Sequence, residues 1–265
     1  METAVLPIVA AVPADVRAAS ALGGRVAHLA YEVDPARALI RRRADLSARG
    51  GLMVLSDQTG APAERDEAAD VGALCQMIVR ICAEHDFEGV VADFETPAHG
   101  RLEQLVAECA PILEAKGLAL YVSAEYAHCA RTCRVVFPCA PVSGSVRECL
   151  AAARERYEGR RLAPEWQRLA CDIALPKGAG RGAPLTPQAL AQRMAGRQVF
   201  FSQELCAHYF TYKSASGETH FVLYDDGQSL LKKLRLAAGF GIGEGFFLYP
   251  EVAELFAAGE LARRG

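Results

Sequence analysis

Eight short apolar runs rich in β-forming residues recur along the chain, and their spacing constrains the fold more than any other feature. Between several runs, apolar residues recur every three or four positions, as from Val71 to Cys82, which is typical of an amphipathic helix. Apolar strands that alternate with helices predict a parallel sheet covered by helices, and eight such units favour a closed (β/α)8 barrel, the TIM barrel. A doubly wound open sheet is the alternative. The eight runs are Val5 to Val12, Val26 to Val33, Leu52 to Ser56, Gly89 to Glu95, Leu118 to Ser123, Arg134 to Pro138, Leu169 to Pro176 and Gly245 to Tyr249.

One segment departs from this alternation. Residues Ser202 to Asp226 predict a small β-hairpin that turns at Ser216 and Gly217 and is inserted before the last helix and strand. No linker, low-complexity segment or internal repeat divides the chain, and 51% of its 265 residues are hydrophobic, which is enough to bury one large core. We therefore predict a single barrel domain over residues 1–265.

Charge and hydropathy exclude several classes of partner. The formal net charge is -3, from 29 basic and 32 acidic residues, so there is no electrostatic footprint for nucleic acid or an anionic membrane. No apolar run approaches the roughly 20 residues of a membrane span. The N-terminal sequence METAVLPIVAAVPADV lacks the basic segment that opens a signal peptide, so we expect synthesis in the cytoplasm. The oligomeric state is not predicted.

The nine cysteines favour a reduced environment, because the count is odd and most thiols fall at apolar positions of predicted helices or strands. The exception is a cluster formed by His128, Cys129, Cys133 and Cys139. It lacks the C-x-x-C spacing of structural zinc motifs, and either a soft-metal site or a disulfide is an alternative to ordinary packing. We expect no metal and no cofactor.

The stretch FEGVVADFE, from Phe87 to Glu95, is the strongest functional signal. An apolar run ends there in Asp93 and Glu95, which are two residues apart and therefore point to one face of a strand. Their side chains are expected roughly 7 Å apart, where each carboxylate experiences the charge of the other, as acid catalysis requires. A strand end whose acids lie in solvent or cap the next helix is the alternative.

Other polar residues follow predicted strands. In a TIM barrel, function lies at the carboxyl ends of the strands, where several acids and two tyrosines favour a polar substrate such as a sugar. Each of them is also compatible with an ordinary place on the rim. They are Tyr31, Glu32, Ser56, Asp57, Glu125, Tyr126 and Lys177.

Two segments resemble glycoside hydrolase family 18, the family of chitinases and peptidoglycan N-acetylglucosaminidases. FEGVVADFE is similar to the fourth-strand signature D-x-x-D-x-D-x-E of that family. The segment HYFTYKSASGETHFVLYDDGQSLLKKLRLAAGFGIGEGFFLYP, from His208 to Pro250, resembles the inserted hairpin, last helix and eighth strand of the branch associated with bacterial spore coats and cortex. The matches cover most of the chain from Asp86 onward, while the preceding residues agree only in layout.

The resemblance implies substrate-assisted retaining hydrolysis of a β-1,4-linked N-acetylglucosamine glycan, either peptidoglycan or a chitin-like polymer. Glu95 would be the general acid and then the base, and Asp93 would orient the acetamido group, whose carbonyl oxygen attacks the anomeric carbon. The resemblance also implies a later association with spore or cell wall. The expected substrate-binding residues are Tyr31, Asp57, Glu125, Tyr126, Phe247 and Tyr249.

The chain also departs from the family pattern. Val91 replaces the second acid of the signature, and the sixth run, RVVFPCAPVSG, lacks the Tyr-Asp pair that binds the acetamido oxygen. Tyr126 is the expected substitute for the missing hydroxyl. The eighth run lacks the family's tryptophan, which leaves Phe247, Leu248 or Tyr249 for stacking, and Trp166 is expected to serve packing.

These departures keep two further hypotheses open. One is a non-catalytic sugar-binding or structural barrel. The other is a different (β/α)8 enzyme that uses the same acids, since one fold hosts many chemistries. A metal or phosphate near Lys177 and Gly178 would favour the latter.

Overall fold

The computed structural model describes residues 5–34, 37–46, 48–57, 70–98, 100–159, 161–175 and 182–257. Within these ranges the chain alternates between strands and helices. The strands are β1 (Leu6–Ala11), β2 (Arg25–Asp34), β3 (Leu39–Arg42), β4 (Leu52–Ser56), β5 (Gly89–Asp93), β6 (Ala119–Ser123), β7 (Arg134–Pro138), β8 (Leu162–Glu165), β9 (Ala170–Leu175), β10 (Ala183–Pro184), β11 (Phe200–Ser202), β12 (Ala207–Lys213), β13 (Thr219–Tyr224) and β14 (Glu244–Leu248). The helices are α1 (Val16–Ala21), α2 (Val71–His85), α3 (Gly100–Ala115), α4 (Val146–Arg156), α5 (Pro187–Met194), α6 (Gly227–Gly239) and α7 (Tyr249–Ala257), with a short 3-10 turn at Ala124–Tyr126.

Eight parallel strands close into a barrel, which confirms the predicted TIM barrel. The order around the barrel is β1, β14, β8, β7, β6, β5, β4 and β2, and pairing of β1 with β2 closes the ring. The strand β3 pairs antiparallel with the carboxyl-terminal half of β2, from Tyr31 to Asp34. None of the helices in the described residues has both the length and the apolar composition needed to cross a membrane.

The strands are apolar on both faces because each is buried on both sides. On β5, Val91 lies in the cluster that fills the barrel, together with Tyr121 and Phe246. Val90 and Ala92 point the other way, into the layer formed with α2 and α3. The predicted helical spacing is confirmed in α2, whose buried residues are Val71, Leu74, Cys75, Ile78 and Cys82.

The prediction that Leu169 to Pro176 forms a barrel strand is wrong. The seventh strand of the barrel is β8, and β9 lies in a separate antiparallel sheet. The strand β8 has only four residues, LAPE, and Pro164 has no N–H to contribute to the sheet, so it lacks the length and composition that identify a strand in sequence. The longer run of β9 carries a stronger pattern and is therefore predicted in its place.

The inserted hairpin is confirmed, but it belongs to a larger unit. Strands β12 and β13 pair in register from His208–Tyr224 to Lys213–Thr219, and Gly217 in the turn has a φ of +81°. Three further strands complete an antiparallel sheet in the order β10, β9, β13, β12, β11. This inserted sheet precedes α6 and β14, the last helix and strand of the barrel.

A buried ion pair joins the inserted sheet to the barrel. Asp225 follows β13 and accepts hydrogen bonds from Lys233 Nζ at 2.7 Å, Ser229 Oγ at 2.7 Å and the Leu169 N–H at 2.9 Å. Both charged side chains are almost fully buried. Since Lys233 and Ser229 lie on α6 and Leu169 leads into β9, the network fixes the end of the insert against the last barrel helix.

Candidate active site

Asp93 lies at the carboxyl end of β5, on the interior face of the barrel. Val91, two residues earlier on the same face, is part of the interior cluster. Phe94 points outward and packs edge-to-face on Tyr126, with 5.3 Å between the ring centroids. The alternation of side chains therefore directs Asp93 into the mouth of the barrel, above an apolar floor. Glu95 is exposed and begins the loop that follows.

Asp57 fixes the loop that carries Glu95. It follows β4, the neighbouring strand, and its carboxylate accepts the N–H of Glu95 at 2.9 Å and the N–H of Thr96 at 3.0 Å. Burial alone would raise the pKa of Asp57, but hydrogen bonds from the side chain and backbone of Thr96 and from the Glu95 N–H lower it below its ordinary value. Asp57 therefore stays ionised and holds the backbone at Glu95 in place.

Asp93 has the opposite electrostatic environment. Burial raises its pKa, and the nearby negative charges of Glu95 and Asp57 raise it further. The residue is nonetheless exposed to solvent at the carboxyl end of its strand. A carboxyl in this position binds a proton more readily than an ordinary aspartate, which is a property of catalytic carboxyl groups.

Two more acids at the mouth were missed by the sequence analysis. Glu165 ends β8, and its pKa is raised by burial and by the charges of Asp93 and Glu251. Glu251 lies in the first turn of α7, and burial likewise raises its pKa, although the carboxylate accepts the Arg168 N–H at 3.0 Å. Correct assignment of β8 would have identified Glu165, because it is a carboxylate at the end of a barrel strand.

The structure places two predicted binding tyrosines away from the mouth. Tyr126 is fully buried in the outer layer and donates its hydroxyl hydrogen to the Thr96 carbonyl at 2.8 Å. The hydroxyl is therefore engaged with the backbone of the loop after β5 and is not directed into the mouth. Tyr31 is 3% exposed and packs against His85 and Phe87 between β2 and α2. Its expected place on the rim is wrong, because its side chain faces the helix layer.

The other predicted contacts have mixed positions. Phe247 is buried in the outer layer, while its neighbour Phe246 fills the barrel, so the structure does not bring the Phe247 ring to the mouth. Tyr249 is half-buried at the start of α7 and packs on the same outer cluster as Phe247. Glu125 is exposed in the 3-10 turn after β6, on the mouth side of the barrel. Lys177 lies outside the described residues.

Trp166 serves packing, as expected. It follows β8, is 1% exposed and lies in the outer cluster. A Cβ at Gly245 on β14 would lie only 2.6 Å from the Trp166 indole nitrogen, so the glycine makes room for the ring.

The inserted sheet supplies an aromatic surface that the sequence analysis did not identify. Phe200, Tyr209 and Phe221 stack side by side on one face, with centroids 5.5 and 5.2 Å apart and ring planes 27° apart. Phe200 is 44% exposed. Toward the barrel, this face packs on Ala140 and Val142, which follow the carboxyl end of β7. The rings of Tyr209 and Phe221 therefore share a cluster with the segment that follows β7.

A cavity of about 400 Å³ opens at the opposite, N-terminal end of the barrel. Its lining includes Arg25, Arg49, His28 and Glu88. Arg25 pairs with Glu88 at 3.0 Å, and Arg49 pairs with Asp86 at 3.2 Å. Because this end of a TIM barrel serves stability rather than catalysis, the mouth with Asp93 and Glu95 is the better candidate site.

The predicted cysteine cluster divides into separate environments. The nine cysteines all lie in the described residues, and none of them forms a disulfide. Cys133 donates its thiol to the Ala130 carbonyl at 2.8 Å, and Cys139 interacts with Cys149. Only Cys129 stays beside His128, at 3.7 Å between Sγ and Nε2.

Comparison with known proteins supports the fold. No protein-family model and no curated protein sequence matches the chain. Among solved structures, the spore cortex-lytic enzyme SleL of Bacillus cereus is similar, with a TM-score of 0.70, 15% identity, and coverage of 99% of this chain and 75% of that one. A chitinase of Chromobacterium violaceum has a TM-score of 0.67 and 21% identity, over 98% and 100% of the two chains.

A plant protein extends the comparison. A family 18 chitinase of Cycas revoluta, solved in complex with (GlcNAc)3, has a TM-score of 0.62 and 15% identity over 97% of this chain and 98% of its own. At these identities the likeness concerns the fold. The resemblance drawn from the sequence is thus confirmed at that level: the chain has the barrel fold of glycoside hydrolase family 18 chitinases and of the spore cortex-lytic enzyme SleL.

Proposed function

We propose that the protein is a glycoside hydrolase that cleaves β-1,4-linked N-acetylglucosamine glycans, by substrate-assisted retaining hydrolysis. The observation that carries the proposal is the pair Asp93 and Glu95 at the mouth of a barrel with the fold of chitinases and SleL. The raised pKa of Asp93 and the fixed loop at Glu95 support a catalytic site rather than an ordinary solvated strand end.

Each acid has a distinct role in this mechanism. Glu95, exposed at the rim, protonates the glycosidic oxygen as the bond breaks and later takes a proton from the attacking water. Asp93, inside the mouth, holds the acetamido N–H so that the carbonyl oxygen of the same sugar attacks the anomeric carbon. The substrate supplies the nucleophile, so a second enzymic nucleophile is not required. Asp57 positions Glu95 through the backbone.

The remaining acids suit the charge that develops during the reaction. Bond cleavage leaves a positive charge on the sugar ring and then on the acetamido group. The interaction between Glu165 and Asp93 places a negative field across the mouth, where it stabilises this charge. In this proposal the charge of Glu165 replaces part of the stabilisation of the acetamido group that the missing Tyr-Asp pair would provide.

Peptidoglycan is the preferred glycan in the proposal. SleL, one of the similar structures, is described as a spore cortex-lytic enzyme. The surface of stacked rings at Phe200, Tyr209 and Phe221 offers apolar faces on which sugar rings pack. We accordingly propose that the protein acts on spore or cell wall material.

The test measures the release of reducing ends from N-acetylglucosamine oligomers and from purified peptidoglycan between pH 4 and 8. We expect Glu95→Gln to lower the rate at least ~10²-fold, because the amide cannot donate the proton. Glu114→Gln is the matched control, since Glu114 is an exposed glutamate at the far end of α3. Equal rates for wild type and Glu95→Gln, with both folded by circular dichroism, would refute the assignment of Glu95.

A non-catalytic sugar-binding barrel is the second candidate, and β7 is the observation that favours it. The residues of β7 nearest the mouth, from Val136 to Pro138, carry neither a hydroxyl nor a carboxylate to bind the acetamido oxygen. This candidate predicts no turnover by the wild type, and retention of both proteins in the pellet with peptidoglycan sacculi. Turnover that is lost in Glu95→Gln would exclude it.

A further inference from the structure

We propose that Glu103, His128 and Cys129 form a site for one divalent transition-metal ion of the zinc class, on the mouth side of the barrel. Their ligand atoms all lie within 4.8 Å of one another. Glu103 lies in the first turn of α3, and the other two residues follow the 3-10 turn after β6. The inference does not depend on the proposed hydrolase activity.

The orientation of the imidazole directs Nε2 toward the other two ligand atoms. His128 Nδ1 lies 2.9 Å from the carbonyl oxygen of Glu125, which only accepts hydrogen bonds, so this nitrogen carries the hydrogen. In the neutral ring, Nε2 then keeps its lone pair, and it faces Glu103 Oε1 at 2.8 Å. A proton on Nε2, which makes the ring an imidazolium paired with the carboxylate, satisfies this contact, and a metal ion can bind the same two atoms when that proton is released. A backbone carbonyl that fixes the far nitrogen is also the usual support of a metal-bound histidine.

The spacing of the ligand atoms suits a tetrahedral ion. With bonds of about 2.1 Å to nitrogen or oxygen and 2.3 Å to sulfur, tetrahedral ligands lie about 3.6 Å apart for N and S, and about 3.4 Å apart for N and O. The distance from Cys129 Sγ to His128 Nε2 is 3.7 Å. The pair of His128 and Glu103 must open by about half an ångström. Their side chains are 60% and 35% exposed, so they have room to move.

The donor set also fits this class of metal. A thiolate, an imidazole and a carboxylate together favour zinc and its neighbours over magnesium or calcium, which prefer oxygen alone. Three protein ligands leave a fourth position for water. Cys133 is not part of the set, since its thiol is directed to the Ala130 carbonyl.

A bound ion would join the two chain segments that border Glu95. The loop from Glu95 runs into α3 at Gly100, one turn before Glu103, and Tyr126 binds this loop through the Thr96 carbonyl. The ion would bridge α3 to the segment just after Tyr126. It would therefore limit the motion of the loop without contacting the substrate.

The test titrates the full chain, freed of metal with a chelator, with Co²⁺ and with Zn²⁺. We expect one equivalent of Co²⁺ to bind with a thiolate-to-cobalt absorption band, and Zn²⁺ to displace it and raise the melting temperature. Cys129→Ser and His128→Ala should each lose the band or weaken binding by more than ~10-fold, the cost of losing even an outer partner of a ligand. Cys149→Ser, a partly exposed thiol elsewhere, should behave as the wild type.

Two results would overturn the proposal. One is the absence of stoichiometric Co²⁺ binding by the folded wild type. The other is binding of unchanged affinity in both ligand variants, which would place the metal elsewhere. If Cys129→Ser does not fold, Glu103→Gln, which alters only a half-buried carboxylate, must weaken Zn²⁺ binding for the proposal to stand.

Discussion

The two ends of the barrel hold carboxylates in opposite electrostatic states. At the N-terminal end, Glu244 lies inside the barrel between two arginines, 2.5 Å from Arg134 and 3.2 Å from Arg25, and accepts the Tyr121 hydroxyl at 2.9 Å. Burial would raise its pKa, but the hydrogen bonds and charges of Arg134, the Tyr121 hydroxyl and Arg25 lower it. At the mouth, burial and neighbouring acids raise the pKa of both Asp93 and Glu165.

The difference separates a stabilising end of the barrel from the end that holds the proposed active site. Paired charges at the N-terminal end close the bottom of the barrel and favour the ionised form of Glu244. Carboxylates gathered at the mouth repel one another, which costs stability and raises the pKa of Asp93 and of Glu165. The fold tolerates this repulsion because the opposite end and the apolar interior stabilise it.

Of the variants that test this difference between the two ends, Glu244→Gln is expected to have the largest effect on stability. It leaves Arg25 and Arg134 facing each other without their carboxylate. We expect a loss of roughly 3 kcal/mol in the free energy of unfolding at pH 7, measured with urea, because a half-buried ion network loses its centre. The pKa of Glu244 is lowered below 4.5, so this stabilisation is complete above that pH and disappears as the pH falls through the lowered pKa. The loss in the free energy of unfolding caused by Glu244→Gln should therefore be smaller in acid than at pH 7.

Asp86→Asn is the matched control for Glu244→Gln. It breaks the exposed pair with Arg49, and asparagine tolerates the left-handed conformation at this position, where φ is 57°. We expect a change below about 1 kcal/mol. Equal losses in the two variants would show that the network at the barrel end has no special role.

A smaller effect is expected from Asp57→Asn, which tests the positioning of Glu95 at the mouth. The asparagine oxygen can replace part of the carboxylate, so we expect kcat to fall about tenfold with little change in KM. Loss of the Asp57 charge lowers the pKa of Asp93. The acid limb, which is the fall in rate at low pH as Asp93 becomes protonated, should therefore move to lower pH. A reduced rate with an unmoved acid limb would indicate a merely structural role.

The smallest effect is expected from Glu165→Gln, which removes repulsion at the mouth. Because the pKa of Glu165 is raised, the native state binds more protons than the unfolded state between the ordinary and the raised pKa, and stability falls as pH rises through this window. The variant should therefore be more stable than the wild type at pH 7 and similar to it at pH 4, as measured by urea unfolding. Lower stability of the variant at pH 7 would contradict the repulsion.

The barrel could be predicted from sequence because its helices and most of its strands carry local signals. The period of three or four in α2 and α3 and the apolar strands between them are properties of neighbouring residues. The strand β8 could not be predicted, since four residues that include a proline carry too weak a pattern. Glu165, which ends this strand, was therefore not identified as a site residue. Asp93 and Glu95 were found because both acids stand together at the end of a clear strand.

The directions of the aromatic side chains were beyond the sequence. In a parallel barrel both faces of a strand are apolar, so alternation separates Phe246 from Phe247 without showing which one faces the interior. Tyr31 and Tyr126 were assigned to the rim from their order in the chain. Packing against helices directs both of them outward instead.

The sequence by itself therefore determined the alternation of strands and helices, the inserted hairpin and the acidic pair on β5, because each depends on residues close together in the chain. Only the tertiary structure decided which distant groups meet. Asp57 reaches the Glu95 loop across 38 residues, Glu103 reaches His128 across 25, and Tyr121 reaches Glu244 across 123. Closure of the barrel sets these contacts, since it fixes the register of strands and loops that no local pattern relates to one another.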